Sequence, residues 1–276
     1  MSGGLAIVSG TGDLPRLIAQ ECQRSGRIYL VVVFEGTKLD WLAGHPNVEI
    51  TFEKQGRLIK EMRKSDCTSI TFAGAIPRPH VNPLKFDGHG MKLLTKVLGA
   101  KKQGDDGSLR IILNYYEAEG FKIEAPHEIL PDLVPDVGVL GKISPSEVDK
   151  ADAERAAEIV QGLGALDLGQ GAVVAKGICL GLETVQGTDS MLSYVAQNRA
   201  HFPTKRAKGI LLKSPKPGQD LRIDLPAIGI ETIRRAHAAG LSGVVITAGS
   251  VMILERAATL AEADKLGLFI WVRPAK

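Results

Sequence analysis

Residues 5–15 read LAIVSGTGDLP, an apolar run that breaks at a glycine-containing turn and resumes as a helical pattern. Leu5–Val8 is short, continuous and bounded by glycine, which marks a strand buried on both faces. Leu14–Ser25 carries Leu14, Leu17, Ile18 and Cys22 at helical spacing, one apolar face of an amphipathic helix. Strand, glycine turn and helix in that order open a parallel βαβ unit. Gly10 and Gly12 let the backbone turn tightly and approach a ligand, while the unbonded N–H groups of a helix start attract an anion. Thr11 or Asp13 has the chemistry of an N-cap, and Pro15 fits the first turn because its missing N–H has no partner there. Set beside G-x-G-x-x-G, the third glycine is replaced by Pro15. Gly10, Thr11, Gly12, Asp13 and Leu14 therefore read as a phosphate-binding loop rather than a nicotinamide site.

Working outward, the first half keeps alternating. Arg27–Phe34, Val48–Phe52, Ser69–Ala73 and Phe121–Glu124 read as strands. Lys54–Lys64, Met91–Ala100 and Asp106–Glu119 read as helices. This pattern predicts a Rossmann-like parallel sheet with helices on its faces. Gly74 and Ala75, in the run AGAIPRP (residues 73–79), follow the fourth strand at the same carboxyl edge, where open α/β sheets bind ligands.

Residues 128–146 are rich in proline and glycine, and the linker is placed near Val139–Ile143. The expected division is a first domain at 1–140 and a smaller α/β domain at 144–276. In the second, a charged helix from Pro145 or Ser146 to Leu163 precedes strands at Gly171–Leu182, Gly209–Lys213, Gly243–Thr247 and Leu268–Val272. Helices are expected at Ser190–Ala200, Leu225–Ala239 and Met252–Lys265. Parallel topology would gather three polar junctions at one edge: Glu183–Asp189, Lys213–Pro217 and Arg222–Pro226. Carboxylates there can hold a hard divalent cation, and lysines can neutralise phosphate oxygens. The competing reading gives Thr188, Asp189 and Asp224 plain capping roles.

Composition narrows the function. The 276 residues carry a net charge of +3, which suits an anionic small molecule and falls short of a nucleic-acid footprint. Aromatic residues make up 5%, too few for a base-stacking platform. Cys22, Cys67 and Cys179 are scattered, and no histidine shows metal-ligand spacing. Lys101-Lys102 beside Asp105-Asp106 reads as a solvated loop. Without a basic, apolar leader or a run of about 18 apolar residues, the chain is expected in the cytoplasm. A peripheral contact with the inner membrane is compatible with that.

Four motifs in order, GTGDLP (10–15), AGAIPRP (73–79), GLETVQGTDSML (181–192) and KSPKPGQDLRIDLPAIG (213–229), carry a resemblance that spans both domains. The chain resembles the UDP-2,3-diacylglucosamine pyrophosphatases of Gram-negative lipid A biosynthesis, in their two-domain form. That resemblance implies hydrolysis of UDP-2,3-diacylglucosamine to UMP and 2,3-diacylglucosamine 1-phosphate (lipid X). It also implies a divalent cation, preferably Mg2+, water directed at the sugar-bearing phosphorus, and a lipid product held between two α/β domains. Asp224, in the D-L-P motif, matches the family's important aspartate and is the first choice for catalysis or metal binding. Gln186, Gly187 and Thr188 match binding positions, as do Gly10–Leu14. Residue chemistry adds Asp189 as a second metal ligand and Lys213 as the catalytic cation for the developing phosphate charge. Ser9 and Thr11 depart from the plainer glycine run common in the family. Two other readings are a nicotinamide-dependent oxidoreductase acting on a nucleotide sugar and a non-catalytic carrier of a nucleotide-linked lipid.

Overall fold

The computed structural model describes residues 3–76, 81–99, 104–204 and 207–275, with side chains in the third segment described from 107. Pro77, Arg78 and Pro79 of the second glycine loop lie outside the described residues, as do Lys101 and Lys102. The chain divides into two compact units, Met1–Pro131 and Asp132–Lys276.

The first unit runs β1 (Gly4–Ser9), α1 (Leu14–Ser25), β2 (Tyr29–Phe34), β3 (Asn47–Ile50), α2 (Gln55–Lys64), β4 (Cys67–Ala73), α3 (Gly88–Gly99), α4 (Gly104–Ala118), β5 (Lys122–Ile123) and α5 (Pro126–Ile129). Its five strands lie in the order β3-β2-β1-β4-β5, every pair parallel. β1 is central because Leu5, Ala6 and Ile7 are fully buried, as a strand covered on both faces must be. Strand order reverses between β1 and β4, where Ser9 pairs with Ala73. The two glycine loops leave the sheet at that switch point.

The second unit runs β6 (Gly138–Leu140), α6 (Glu147–Ala165), β7 (Gly171–Ala175), β8 (Ile178–Leu182), α7 (Gly187–Asn198), β9 (Ile210–Lys213), β10 (Ala227–Ile228), α8 (Ile230–Ala238), β11 (Gly243–Thr247), β12 (Met252–Ile253), α9 (Arg256–Leu266) and β13 (Phe269–Arg273). The main sheet has the order β6-β13-β11-β9-β7-β8. β9, β11 and β13 are parallel, whereas β6 and β7 run antiparallel to their neighbours. Both faces are covered. Val174, Ile210, Leu212 and Val245 pack with Ala153, Ala156 and Val160 of α6. Val173, Leu211, Val244 and Ile246 pack on the opposite face with residues of α7, α8 and α9. The alternation of Val173 and Val174 between the two cores follows from the two-residue period of a strand.

Several sequence expectations change. Val139–Ile143 is not a linker throughout: Gly138–Leu140 form β6, paired with β13, so these residues belong with the second unit. That unit is the longer of the two, not the smaller. The run Gly171–Leu182 is a hairpin rather than one strand, because Lys176 and Gly177 turn the chain at φ 50° and 75°. α8 begins at Ile230, not Leu225, since Leu225 precedes a proline and Ala227–Ile228 pair with Met252–Ile253. The same pairing delays α9 to Arg256.

The hairpin matters for the site, because its return strand brings residue 183 back to the edge where β9 ends. Its turn is fastened by Asp152, buried on α6, whose carboxylate accepts Lys176 N at 2.9 Å and Gly177 N at 2.7 Å. Asp152→Ala is expected to destabilise the protein by about 3 kcal/mol, the scale of charge-assisted hydrogen bonds at a buried site. Urea unfolding checks this, and a loss below about 0.5 kcal/mol would show the turn holding without its anchor.

Candidate functional site

At the switch point of the first unit, the glycine loops bond to each other. Gly10 N donates to Ala73 O at 2.8 Å, Thr11 N to Ala75 O at 2.9 Å, and Ala75 N to Thr11 O at 3.0 Å. The Thr11 hydroxyl donates to Ala75 O as well, at 3.3 Å. A Cβ on Gly10 would lie 2.4 Å from Ala75 O, and one on Gly74 would lie 2.4 Å from Thr11 O. These two glycines therefore serve the close approach of loop to loop. Gly12 differs: its φ is +95° and nothing stands within 4 Å of where its Cβ would be.

Neither Thr11 nor Asp13 caps α1. Asp13 occupies the N-cap position without a side-chain cap bond, and its carboxylate takes Arg16 NH2 at 3.0 Å instead. Leu14 is buried in the core beneath the loop. The exposed part of the predicted cradle is thus Thr11, Gly12 and Asp13 around an uncapped helix start. Beyond the end of β3, Asn82 N donates to the Glu53 carboxylate at 2.8 Å and holds it below the usual range.

In the second unit the polar junctions do meet, by a route other than parallel topology. β8 is antiparallel to β7, which is antiparallel to β9, so β8 and β9 point the same way. Glu183 N donates to Gly171 O at 2.9 Å just past β8, and Ser214 N donates to Gln170 O at 3.0 Å just past β9. Lys213, the last residue of β9, is buried, with 7% of its surface exposed. Its ammonium donates to Thr188 Oγ1 at 2.8 Å and to Ala227 O at 3.1 Å, and lies 4.0 Å from Glu183 Oε1. One side chain thereby joins the first turn of α7, the end of β9 and the start of β10.

Asp224 reaches the same edge through Gln219. The Gln219 amide donates to Asp224 Oδ2 at 2.6 Å and lies 3.3 Å from Gln170 Oε1, while its Oε1 accepts Lys216 N at 2.8 Å. Asp224 is half-buried and precedes the β10 residue that accepts from Lys213. Gln186 stands at the N-cap of α7 with its amide on Leu182 O at 3.1 Å, and Gly187 follows at φ +80°. Thr188 and Asp189 lie inside the first turn of α7, and Gly229 caps α8, so none of Thr188, Asp189 and Asp224 is an N-cap.

The two carboxylates proposed for a metal have different neighbours. Asp189 is exposed, with Oδ2 at 3.6 Å from Arg235 Nε on α8, whereas Asp224 is held by Gln219. Among the described residues no three His, Cys, Asp or Glu side chains converge as a metal cage. Mg2+ needs no such cage, since it binds through one or two carboxylates and completes its shell with substrate phosphates and water. Asp224 has the chemistry for that use. Sequence reading placed Glu183 at the start of one polar junction without giving it a role of its own, and passed over Gln219. Gln219 gave no signal, but Glu183 faces Gly169 and Gly171, two glycines that leave room for it.

The fold and the site define a protein of two α/β units, each with polar loops gathered at strand ends. Family models give this class its member: the LpxI N-terminal domain matches residues 4–133 and the LpxI C-terminal domain matches residues 136–271. A Caulobacter vibrioides protein, UDP-2,3-diacylglucosamine pyrophosphatase LpxI, is 38% identical over 268 residues, covering 96% of each chain. The chain belongs to the LpxI family, as its four motifs implied. An isoflavone reductase crystal structure aligns over 100% of this chain and 79% of its own, at 11% identity and a TM-score of 0.30, too distant to carry an argument.

The two glycine positions should respond differently to side chains. Gly10→Ala is expected to cost about 2 kcal/mol of stability, because it over-packs the loop contact. A Cβ added at Gly12 meets no neighbour, so Gly12→Val is expected to weaken UDP binding at least ten-fold, with about 1–2 kcal/mol of stability lost to its left-handed backbone. Calorimetric titration with UDP and thermal unfolding separate the two effects. Unchanged UDP affinity in Gly12→Val would reduce the loop to a tight turn.

Proposed function

We propose that this protein hydrolyses the pyrophosphate of UDP-2,3-diacylglucosamine to UMP and 2,3-diacylglucosamine 1-phosphate (lipid X), as a cytoplasmic enzyme of lipid A biosynthesis that needs a divalent cation. The observation that carries the reading is the 38% identity over nearly the whole length of a relative with that name. Water attacks the sugar-bearing phosphorus, the bond from that phosphorus to the bridging oxygen breaks, and UMP leaves with the bridging oxygen. The new oxygen then resides on lipid X.

The chain's own residues suit this chemistry. Lys213 supplies a positive charge inside the strand-end site, where low polarity strengthens its effect on developing phosphate charge. Lys213 donates to Thr188 Oγ1, which leaves the threonine proton to be given to a phosphate oxygen. Asp224, fixed by Gln219, accepts a hydrogen bond from the attacking water or holds the cation. A bound Mg2+ would neutralise the pyrophosphate, with Asp224 as its first protein ligand and Asp189 as the second candidate. Gln186 and Gly187 shape the loop before Thr188, while Thr11, Gly12 and Asp13 offer a helix start to an anionic part of the substrate. Pro15 is buried at the start of α1, where the nicotinamide reading requires a third glycine.

A lipid substrate also calls for access to a bilayer, and no described helix is long and apolar enough to cross one. Exposed apolar side chains on and just before α3 offer a peripheral contact with the inner membrane. Leu84 is 95% exposed, and Met91 and Leu98 lie a helical repeat apart on α3 at 44% and 47%. Lys92 and Lys96 flank them, also exposed, as suits an anionic bilayer surface.

Purified protein mixed with UDP-2,3-diacylglucosamine is expected to release UMP with Mg2+ and to lose that activity with a chelator. In 18O-water the label should enter lipid X and not UMP. Binding without UMP release would favour the carrier reading. Asp224→Ala is expected to lower kcat at least a hundred-fold while leaving the fold intact, and near-normal turnover would remove Asp224 from the mechanism.

The lipid contact has its own readout. Leu84→Ser, Met91→Ser and Leu98→Ser together are expected to cut sedimentation with phosphatidylglycerol-containing vesicles at least five-fold. Turnover of detergent-dispersed substrate should stay unchanged. Equal sedimentation of parent and variant would exclude this face.

A further inference from the structure

Glu183 is a buried carboxylate that the reaction described above does not use. It is 6% exposed, and its Oε2 has no hydrogen-bond partner among the described residues. Its backbone sits beside β7, with Glu183 N on Gly171 O. Gly171 pairs in turn with Lys213 on the far side, so Glu183, Gly171 and Lys213 form a row across three neighbouring strands or their ends. A Cβ on Gly171 would lie 2.3 Å from Glu183 Oε2, which means the carboxylate crosses β7 over a position that has no side chain. Gly169 is equally confined, since its Cβ would lie 1.8 Å from Glu183 O. The other carboxylate oxygen faces the Lys213 ammonium at 4.0 Å.

We propose that Glu183 is a positioning residue for catalysis, reaching across β7 over Gly171 to hold Lys213 as an ammonium aimed at Thr188. The chain of polarity has a direction. A carboxylate offers only acceptors and an ammonium only donors, so Lys213 must donate to Thr188 Oγ1. The Thr188 hydroxyl keeps its own proton for an acceptor outside the chain, and the ligand class that fits is a phosphate oxygen. Without the carboxylate, the ammonium would be a buried charge with only neutral partners, and no opposite charge would fix its place. This assignment rests on the pyrophosphatase reading.

The test combines Glu183→Gln, Lys213→Met and the double variant in the full-length protein with Mg2+. Glu183→Gln is expected to lower kcat at least ten-fold, with KM within two-fold of the parent. Adding Glu183→Gln to Lys213→Met should cost less than a further two-fold, because the residue acts through the lysine. Gly171→Ala, which displaces the carboxylate without changing any charge, should reproduce the kcat loss and covers the case in which Glu183→Gln fails to fold. Multiplicative losses in the double variant, or parental kcat in Glu183→Gln, would overturn the proposal. The coupling can be read without any substrate, which separates its failure from that of the pyrophosphatase reading. Lys213→Met should melt at a lower temperature than Lys213→Met/Glu183→Gln, since it strands a buried carboxylate. A double variant that melts no higher would also overturn it.

Discussion

A buried ammonium must be bonded by groups that come to it from the surrounding fold, and in the second unit those groups come from several elements. Lys213 closes β9, yet its charge is answered by Thr188 on α7, by a backbone carbonyl on β10 and by the carboxylate of Glu183 after β8. Leaving such a charge unpaired costs several kcal/mol, so each of these segments is constrained to arrive at one point. The hairpin of β7 and β8, the tight start of α7 and the short parallel pair of β10 and β12 can be understood as ways of meeting that constraint. The same convergence provides a positive charge at the strand ends, with Asp224 held nearby by Gln219.

The first unit solves a different problem with different means. Its switch point leaves two loops side by side, and Gly10 and Gly74 let their backbones bond directly. Those contacts consume backbone groups that a phosphate would otherwise take. What stays open is Gly12 and the uncapped start of α1. Glycine-rich is therefore not one property here: two glycines are there for packing, while Gly12 combines left-handed backbone with open space. The two units differ in character as well, because backbone donors dominate the exposed loops of the first and charged side chains the strand ends of the second.

Some of this organisation was legible from residues alone. Short continuous apolar runs and the 3.6-residue period located β1, α1, β2, α2 and β4, and a proline- and glycine-rich stretch at 128–146 pointed to a division between two α/β units. Motif order placed the chain in its family. Misreadings fell where local pattern and tertiary pairing compete. The apolar Leu225–Ile228 and Met252–Ile253 look like helix starts, but each finds a strand partner in the other. Gly138–Leu140 sits in a glycine- and proline-rich stretch and still pairs with β13. Propensity is weak beside a ladder that satisfies backbone donors and acceptors.

By itself, then, the sequence determined which segments are apolar on one face or two, where glycine permits turns, and which family the chain belongs to. The first two follow from composition and spacing within about a dozen residues, where periodicity reports burial directly, and the third from the resemblance carried by four motifs in order along the chain. Only the tertiary structure decided what each polar group meets. Glu183, Gly171 and Lys213 are separated by up to 42 positions in the chain, yet they lie across adjacent strand ends. Their relation depends on a hairpin register that no local pattern encodes. Burial tells a residue that it needs a partner, but the pairing of distant strands chooses which partner it gets.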